Sequence, residues 1–189
     1  GYNNQSIAYF MIFQNPNVDL SWYRPIWKKG QEQIDQVHPF SSFIDNPYLI
    51  AYEMTNGVKS NAFLANMAAT YTINKKFDLM LRSGIDLSSE IRKQQRPYSS
   101  ANYLRGFYKE QNIQDYEINS DFLLSYKDKI GSDINVTASI GGNAMSTNYN
   151  RMDASVIGLV IPGVYMLSNG VGTPEVVNIA RNKKVNDDA

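Results

Sequence analysis

The chain has 189 residues, in which 18 basic side chains balance 18 acidic ones and cysteine is absent. This length is sufficient for a domain with its own hydrophobic core. The neutral balance, with no block of one sign, argues against a nucleic-acid-binding surface. Disulfides and thiolate metal sites are excluded, and the single histidine, His38, excludes multi-histidine metal sites.

Five segments are predicted to form β-strands, at about 6–13, 62–73, 77–87, 116–126 and 133–143. The first is a short, nearly continuous apolar run. The other four alternate apolar and polar residues, which places successive side chains on opposite faces of a strand. The sequence therefore predicts an all-β fold of about five antiparallel strands.

The predicted connections alternate in length along the chain. Short reversals at 74–76 and 127–132 separate long loops at 14–61, 88–115 and 144–189. Brief turns on one rim and long extracellular loops on the other are typical of an outer-membrane barrel. The pattern favours a partial transmembrane β-barrel over a soluble sandwich, although alternation alone is compatible with both.

The barrel and the soluble domain place the two faces of these strands in different surroundings. In a barrel, the bulky residues face lipid: Phe63, Tyr71, Phe77, Leu79, Leu81, Phe122 and Leu124. The opposite face lines the lumen, with candidates Asp78, Arg82, Asp86, Glu117, Asn119 and Asp121. In the alternative, a soluble β-rich carbohydrate-binding or adhesion domain, the same bulky residues are buried against a second sheet.

Candidate ligand-binding residues lie in the predicted long loops, where aromatic rings beside polar groups suit sugars. They are Trp22, Trp27, Tyr98, Tyr103, Tyr108 and Tyr165, with Arg92 and Arg96 for acidic groups. No nucleophile elbow or nucleotide-binding glycine motif occurs. Asp115, Glu117 and Asp121 could form a cation site or a hydrolase pair, but a hydrated ladder is favoured. We therefore predict no enzyme activity, no cofactor and no metal.

Several fragments in order resemble one family. They are Trp27-Lys28-Lys29-Gly30, Asn46-Pro47-Tyr48, the run 61–73 with its tight reversal, Ser83-Gly84-Ile85-Asp86, 119–126, 140–143 and 161–169. Their order and spacing are similar to those of the SusC/RagA-type TonB-dependent outer-membrane transporters of Bacteroidota. No single fragment is diagnostic.

The resemblance implies a location in the cell outer membrane and a role in oligosaccharide or peptide import. It implies a SusD-like surface lipoprotein as partner and contact with outer-membrane lipid. Residues 1–189 would be an internal part of the receptor barrel. The plug and the segment that contacts TonB would lie in parts of the protein absent from this sequence.

Overall fold

A computed structural model describes residues 6–39, 43–131 and 134–188. Five antiparallel strands form one open sheet, each paired with its neighbours in chain order. The strands are β1 (Asn56–Thr72), β2 (Phe77–Ser100), β3 (Tyr103–Ile130), β4 (Ile134–Ile157) and β5 (Glu175–Asp188). The predicted all-β fold with about five antiparallel strands is confirmed.

The predicted first strand, 6–13, is wrong, because this segment forms helix α1 (Ile7–Phe13). The Ser6 hydroxyl caps the helix by accepting a 3.1 Å hydrogen bond from the Tyr9 backbone N–H. A second helix, α2 (Pro47–Tyr52), begins after Asn46, whose side chain accepts from the Tyr48 N–H. Among the described residues, no helix combines the length and apolar character needed to cross a membrane.

Two of the predicted long loops are largely strand. Residues 88–100 and 103–115 continue β2 and β3, so only 101–102 separate these strands. Within 144–189, the chain first continues β4 and later forms β5. The predicted strand segments 62–73, 77–87, 116–126 and 133–143 overlap β1 to β4, but they underestimate the strand lengths.

The described residues divide into two compact units. The first comprises 6–39, 43–59, 91–112 and 152–177 and contains both clusters of buried apolar side chains. One cluster joins α1, α2 and a short 3₁₀ helix (Leu20–Tyr23) around Phe10, Tyr23 and Leu49. The other joins Tyr108, Val156 and Leu159.

The second unit comprises 60–90, 113–131, 134–151 and 178–188, and its strands have two chemically different faces. Hydrogen bonds between side chains fix which residues share a face. Ser83 and Ser120 meet at 2.9 Å on the apolar face, beside Leu81 and Phe122. Arg82 and Asp121 meet at 2.8 Å on the polar face. The alternation predicted for β2 and β3 therefore has the expected register.

Gly106 of β3 has a positive φ of 76°, and a side chain here would meet two neighbours. An added Cβ would lie 3.0 Å from Leu159 Cδ1 and 3.1 Å from the Arg96 carbonyl oxygen. We expect Gly106→Ala to reduce the free energy of unfolding by about 1–3 kcal/mol, from backbone strain and crowding. The midpoint of denaturant-induced unfolding measures this. Gly57→Ala is the control, since its Cβ would meet nothing within 4 Å.

Candidate functional site

The polar face of the second unit has one section in which the charged side chains satisfy one another. Lys127 lies 3.1 Å from Asp78, and the Thr72 hydroxyl donates to the other oxygen of that carboxylate. Arg82 pairs with Asp121 at 2.8 Å. The Asn143 amide donates to Asn119 Oδ1 at 2.6 Å. Four of the six predicted lumen-facing residues therefore lie in a self-paired network.

Farther along the same strands, a groove of about 700 Å³ has a different character. Its lining includes the other two predicted lumen residues, Asp86 and Glu117, together with Asp115. The basic residues Arg151, Arg181 and Lys183 line it as well. We call these six residues and the space between them the charged groove.

Charge is segregated across the charged groove. The acidic side chains come from β2 and β3, whereas the basic ones come from β4 and β5. Within the described part of the chain, Asp86, Asp115 and Glu117 have no ion-pair partner, and neither do Arg181 and Lys183. Their hydrogen-bonding capacity is therefore available to water or to a solute.

The remaining lining adds neutral groups to this arrangement. Ser88, Thr147 and Tyr149 contribute hydroxyls, and the Tyr149 ring adds an aromatic surface. Donors, acceptors and both charge signs are thus present within one groove. Such a surface can bind a polar solute weakly through exchangeable contacts.

The predicted loop ligands lie in the first unit, and four of the eight are packing residues. Tyr108 is 3% exposed in the second core cluster, and Tyr165 and Tyr98 pack against that cluster. Burial raises the pKa of the Tyr108 and Tyr165 phenols. Trp27 packs against the first core cluster. These four rings are largely occupied by contacts within the protein.

The other predicted loop ligands differ in their surroundings. Arg96 is 6% exposed, and its guanidinium donates to Asn56 Oδ1 and to the Gln95 carbonyl. Tyr103 stacks on Phe107 with ring centroids 4.7 Å apart. Trp22 and Arg92 are exposed, on different elements.

A buried polar network, which the sequence did not reveal, holds the turn between β2 and β3. The fully buried Asp45 carboxylate accepts from Gln36 Nε2 at 2.8 Å and from the Ala101 N–H at 2.7 Å. Ser100 Oγ donates to its second oxygen at 3.2 Å. Burial raises the pKa of Asp45, although these donors oppose the shift.

A serine, a histidine and an aspartate lie close together in the first unit, but not in catalytic geometry. Ser99 Oγ lies 3.2 Å from His38 Nε2, and Asp35 Oδ1 lies 3.5 Å from the same nitrogen. A hydrolytic triad instead places the carboxylate on Nδ1, opposite the nucleophile. Asp35 also pairs with Lys28 at 2.5 Å, and the hydrogen bond from Lys28 lowers the pKa of that carboxyl.

Comparison with known proteins shows that this fold is similar to part of two solved structures. A chain of the RagAB peptide transporter matches 76% of this chain, with a TM-score of 0.60 and 20% identity. A chain of the RagAB peptide importer in the 'closed-closed' state matches 74%, with a TM-score of 0.58 and 20% identity. This chain spans 16% of each of those chains, so the likeness concerns the fold of one part. No protein family and no curated protein sequence matches.

Proposed function

We propose that this chain is a segment of a TonB-dependent importer in the outer membrane. The whole protein would take up oligosaccharides or peptides together with a SusD-like surface lipoprotein. Energy coupling to TonB would use parts of the protein outside this sequence. The role is transport rather than catalysis.

The single observation that carries this proposal is the exposure of both faces of the sheet in the second unit. On the apolar face, Phe63, Tyr71 and Leu81 are 58%, 68% and 50% exposed. No second sheet covers them in the described residues, as a soluble sandwich would require. In a barrel wall, the apolar face would contact lipid and the polar face would contact water, so both faces would be in a favourable environment.

The strand lengths also support a barrel with projecting strands. A membrane crossing needs ~9–11 tilted residues, whereas β2 has 24 residues and β3 has 28. The alternation is clearest in 77–87 and 116–126, which are therefore the proposed crossing segments of these two strands. The remaining residues of β2 and β3 would extend beyond the membrane and be solvated by water.

The charged groove supports a role in guiding solute. Unpaired groups of both signs on a water-facing surface offer a peptide or a sugar successive weak contacts. Passage requires such contacts to be weak enough for release. The absence of triad geometry around His38 favours transport over hydrolysis.

We expect substitutions in the charged groove to lower uptake without removing the protein from the membrane. The test is growth of a deletion strain on a panel of oligosaccharides and peptides as sole nutrients. Complementation with Arg181→Gln/Lys183→Gln is expected to lower the growth rate or uptake on the restored nutrient by roughly thirtyfold, since each of the two lost charged contacts contributes about 1 kcal/mol. Immunoblots of outer-membrane fractions measure the amount of protein.

The matched control is Arg82→Gln, which also removes a positive charge from the polar face, but from the self-paired section. We expect it to retain most of the uptake. Unchanged growth of the deletion strain on every nutrient would contradict the import role. Recovery of the whole protein in the soluble fraction would favour the carbohydrate-binding or adhesion alternative.

A further inference from the structure

Four lysines gather at the end of the second unit where the chain makes its short reversals. Lys75 and Lys76 lie between β1 and β2, and Lys127 and Lys129 lie near the end of β3. The Lys127 backbone N–H donates to the Lys76 carbonyl at 2.8 Å, which holds the two segments together. We call these four residues the lysine cluster. They line a groove of about 520 Å³.

Within the part of the chain that the structure describes, the lysine cluster has more positive charge than its acidic neighbours neutralise. Lys76 pairs with Asp128 at 2.6 Å, and Lys127 pairs with Asp78 at 3.1 Å. Hydrogen bonds from Lys76 and Tyr126 lower the pKa of Asp128 to about 2, so this carboxylate remains charged. Lys75 and Lys129 have no ion-pair partner within 6–39, 43–131 and 134–188.

An aromatic surface adjoins this charge directly. The rings of Phe77 and Tyr126 lie 4.9 Å apart on the apolar face of the sheet. The Tyr126 hydroxyl donates to Asp128 at 2.6 Å, which joins that ring to the lysine cluster. Val136 adds apolar surface to the groove, and Asn135 and Thr137 add polar groups. Tyrosines at the ends of the apolar segments of barrel strands are typical of the interface between lipid and water.

We propose that the lysine cluster binds the headgroup of an anionic phospholipid at the strand end, where Lys76 and Tyr126 both contact Asp128 on the side of the apolar face. The acyl chains lie along that face. The proposal rests on the membrane role proposed above. The excess ammonium groups match a phosphate that carries no compensating positive charge. The aromatic and aliphatic surface next to them matches the acyl chains. A free phosphate would make no use of that surface.

The test compares lipid retention by the whole protein, purified in detergent and incubated with phosphatidylglycerol or phosphatidylcholine. Native mass spectrometry counts the bound lipids. We expect preferential retention of phosphatidylglycerol, and we expect Lys75→Gln/Lys129→Gln to reduce that preference. A lysine near an anionic lipid surface contributes roughly fivefold to binding, so the pair is expected to contribute about thirtyfold.

Lys29→Gln/Lys59→Gln is the matched control, because it removes two exposed lysines outside the lysine cluster. We expect it to leave the preference unchanged. Equal retention of the two lipids by the unsubstituted protein would overturn the proposal. So would an equal loss in both double variants, or full displacement of the lipid by inorganic phosphate.

Fractionation of the same cells separates the two proposals. If the protein is found in the outer membrane but shows no lysine-dependent preference, the lipid site is overturned and the import role is unaffected. If the protein is recovered in the soluble fraction, both are overturned. Membrane location together with a lysine-dependent preference supports the lipid site.

Discussion

Leu81→Arg is expected to prevent most of the protein from assembling in the outer membrane. Leu81 lies on the apolar face of β2 and is 50% exposed, so the substitution creates no steric conflict within the described chain. Its predicted effect comes from the surrounding medium. An arginine on the lipid side near the bilayer midplane costs ~2–4 kcal/mol, whereas in water it costs little.

The depth of Leu81 follows from its distance to the aromatic pair at the strand end. Leu81 lies four positions after Phe77, which is about 14 Å along a strand and about 10 Å along the membrane normal at a tilt of ~40°. Half of the apolar band is ~12 Å. Leu81 is therefore near the level at which a charge has its largest effect.

Met80→Arg is the matched control, because Met80 precedes Leu81 on the same strand and its side chain is on the opposite face. We expect Met80→Arg to change assembly little. The measurement is the fraction of the whole protein that migrates as the folded form in unheated gels of outer-membrane fractions. Equal yields for the two variants would contradict a lipid-facing surface and would support the soluble alternative.

The sequence predicted the strands only where the two faces of a strand differ in polarity, which gives a period of two. Residues 77–87 alternate because one side of the strand is apolar and the other is polar. The stretch Arg92–Arg96 belongs to the same strand, yet its five residues are all polar. Backbone pairing with neighbouring strands stabilises such a segment without requiring alternation, so the sequence carries no periodic signal there.

The error at residues 6–13 has a different cause. A short continuous apolar run is compatible with a buried strand and with a helix, and periodicity does not separate them. The capping serine, Ser6, was the available signal for a helix. Asn46 followed by Pro47 was a similar signal for α2, since asparagine favours the N-cap and proline the first turn.

The acidic side of the charged groove could be predicted from the alternation of apolar and polar residues. Its acidic residues Asp86 and Glu117 lie in clearly alternating segments, so their face was evident. Its basic residues Arg151, Arg181 and Lys183 lie in parts of β4 and β5 that resemble polar loops in sequence. Only the pairing of β4 and β5 with the rest of the sheet brings the two charge signs together.

Asp45→Ala is expected to loosen the turn between β2 and β3 from the segment that holds it. The substitution removes an acceptor from Gln36 Nε2, Ser100 Oγ and the Ala101 N–H. Each hydrogen bond to a charged group contributes ~1.5–3 kcal/mol, but removal of the buried charge offsets part of the loss. We expect a net loss of about 3 kcal/mol in local stability, or roughly a hundredfold faster hydrogen exchange at the Ala101 amide.

Two further variants separate the role of the carboxylate from general damage to the first unit. Asp19→Ala removes an exposed carboxylate that accepts from the Ser21 N–H at 2.8 Å, and we expect it to leave hydrogen exchange at the Ala101 amide nearly unchanged. Asp45→Asn keeps the shape of the side chain but directs an amide N–H₂ towards groups that are themselves donors.

The pH dependence gives an independent readout. Burial raises the pKa of Asp45 in the folded protein, so its ionisation disfavours the closed turn relative to the opened one. In the original protein, the local stability contributed by this group is highest below the ordinary aspartate pKa of 3.8 and falls as pH rises through the folded value. Asp45→Asn should lack this decline, after correction for the intrinsic exchange rate. Identical pH profiles for the two proteins would show that the carboxylate does not control the closure of this turn.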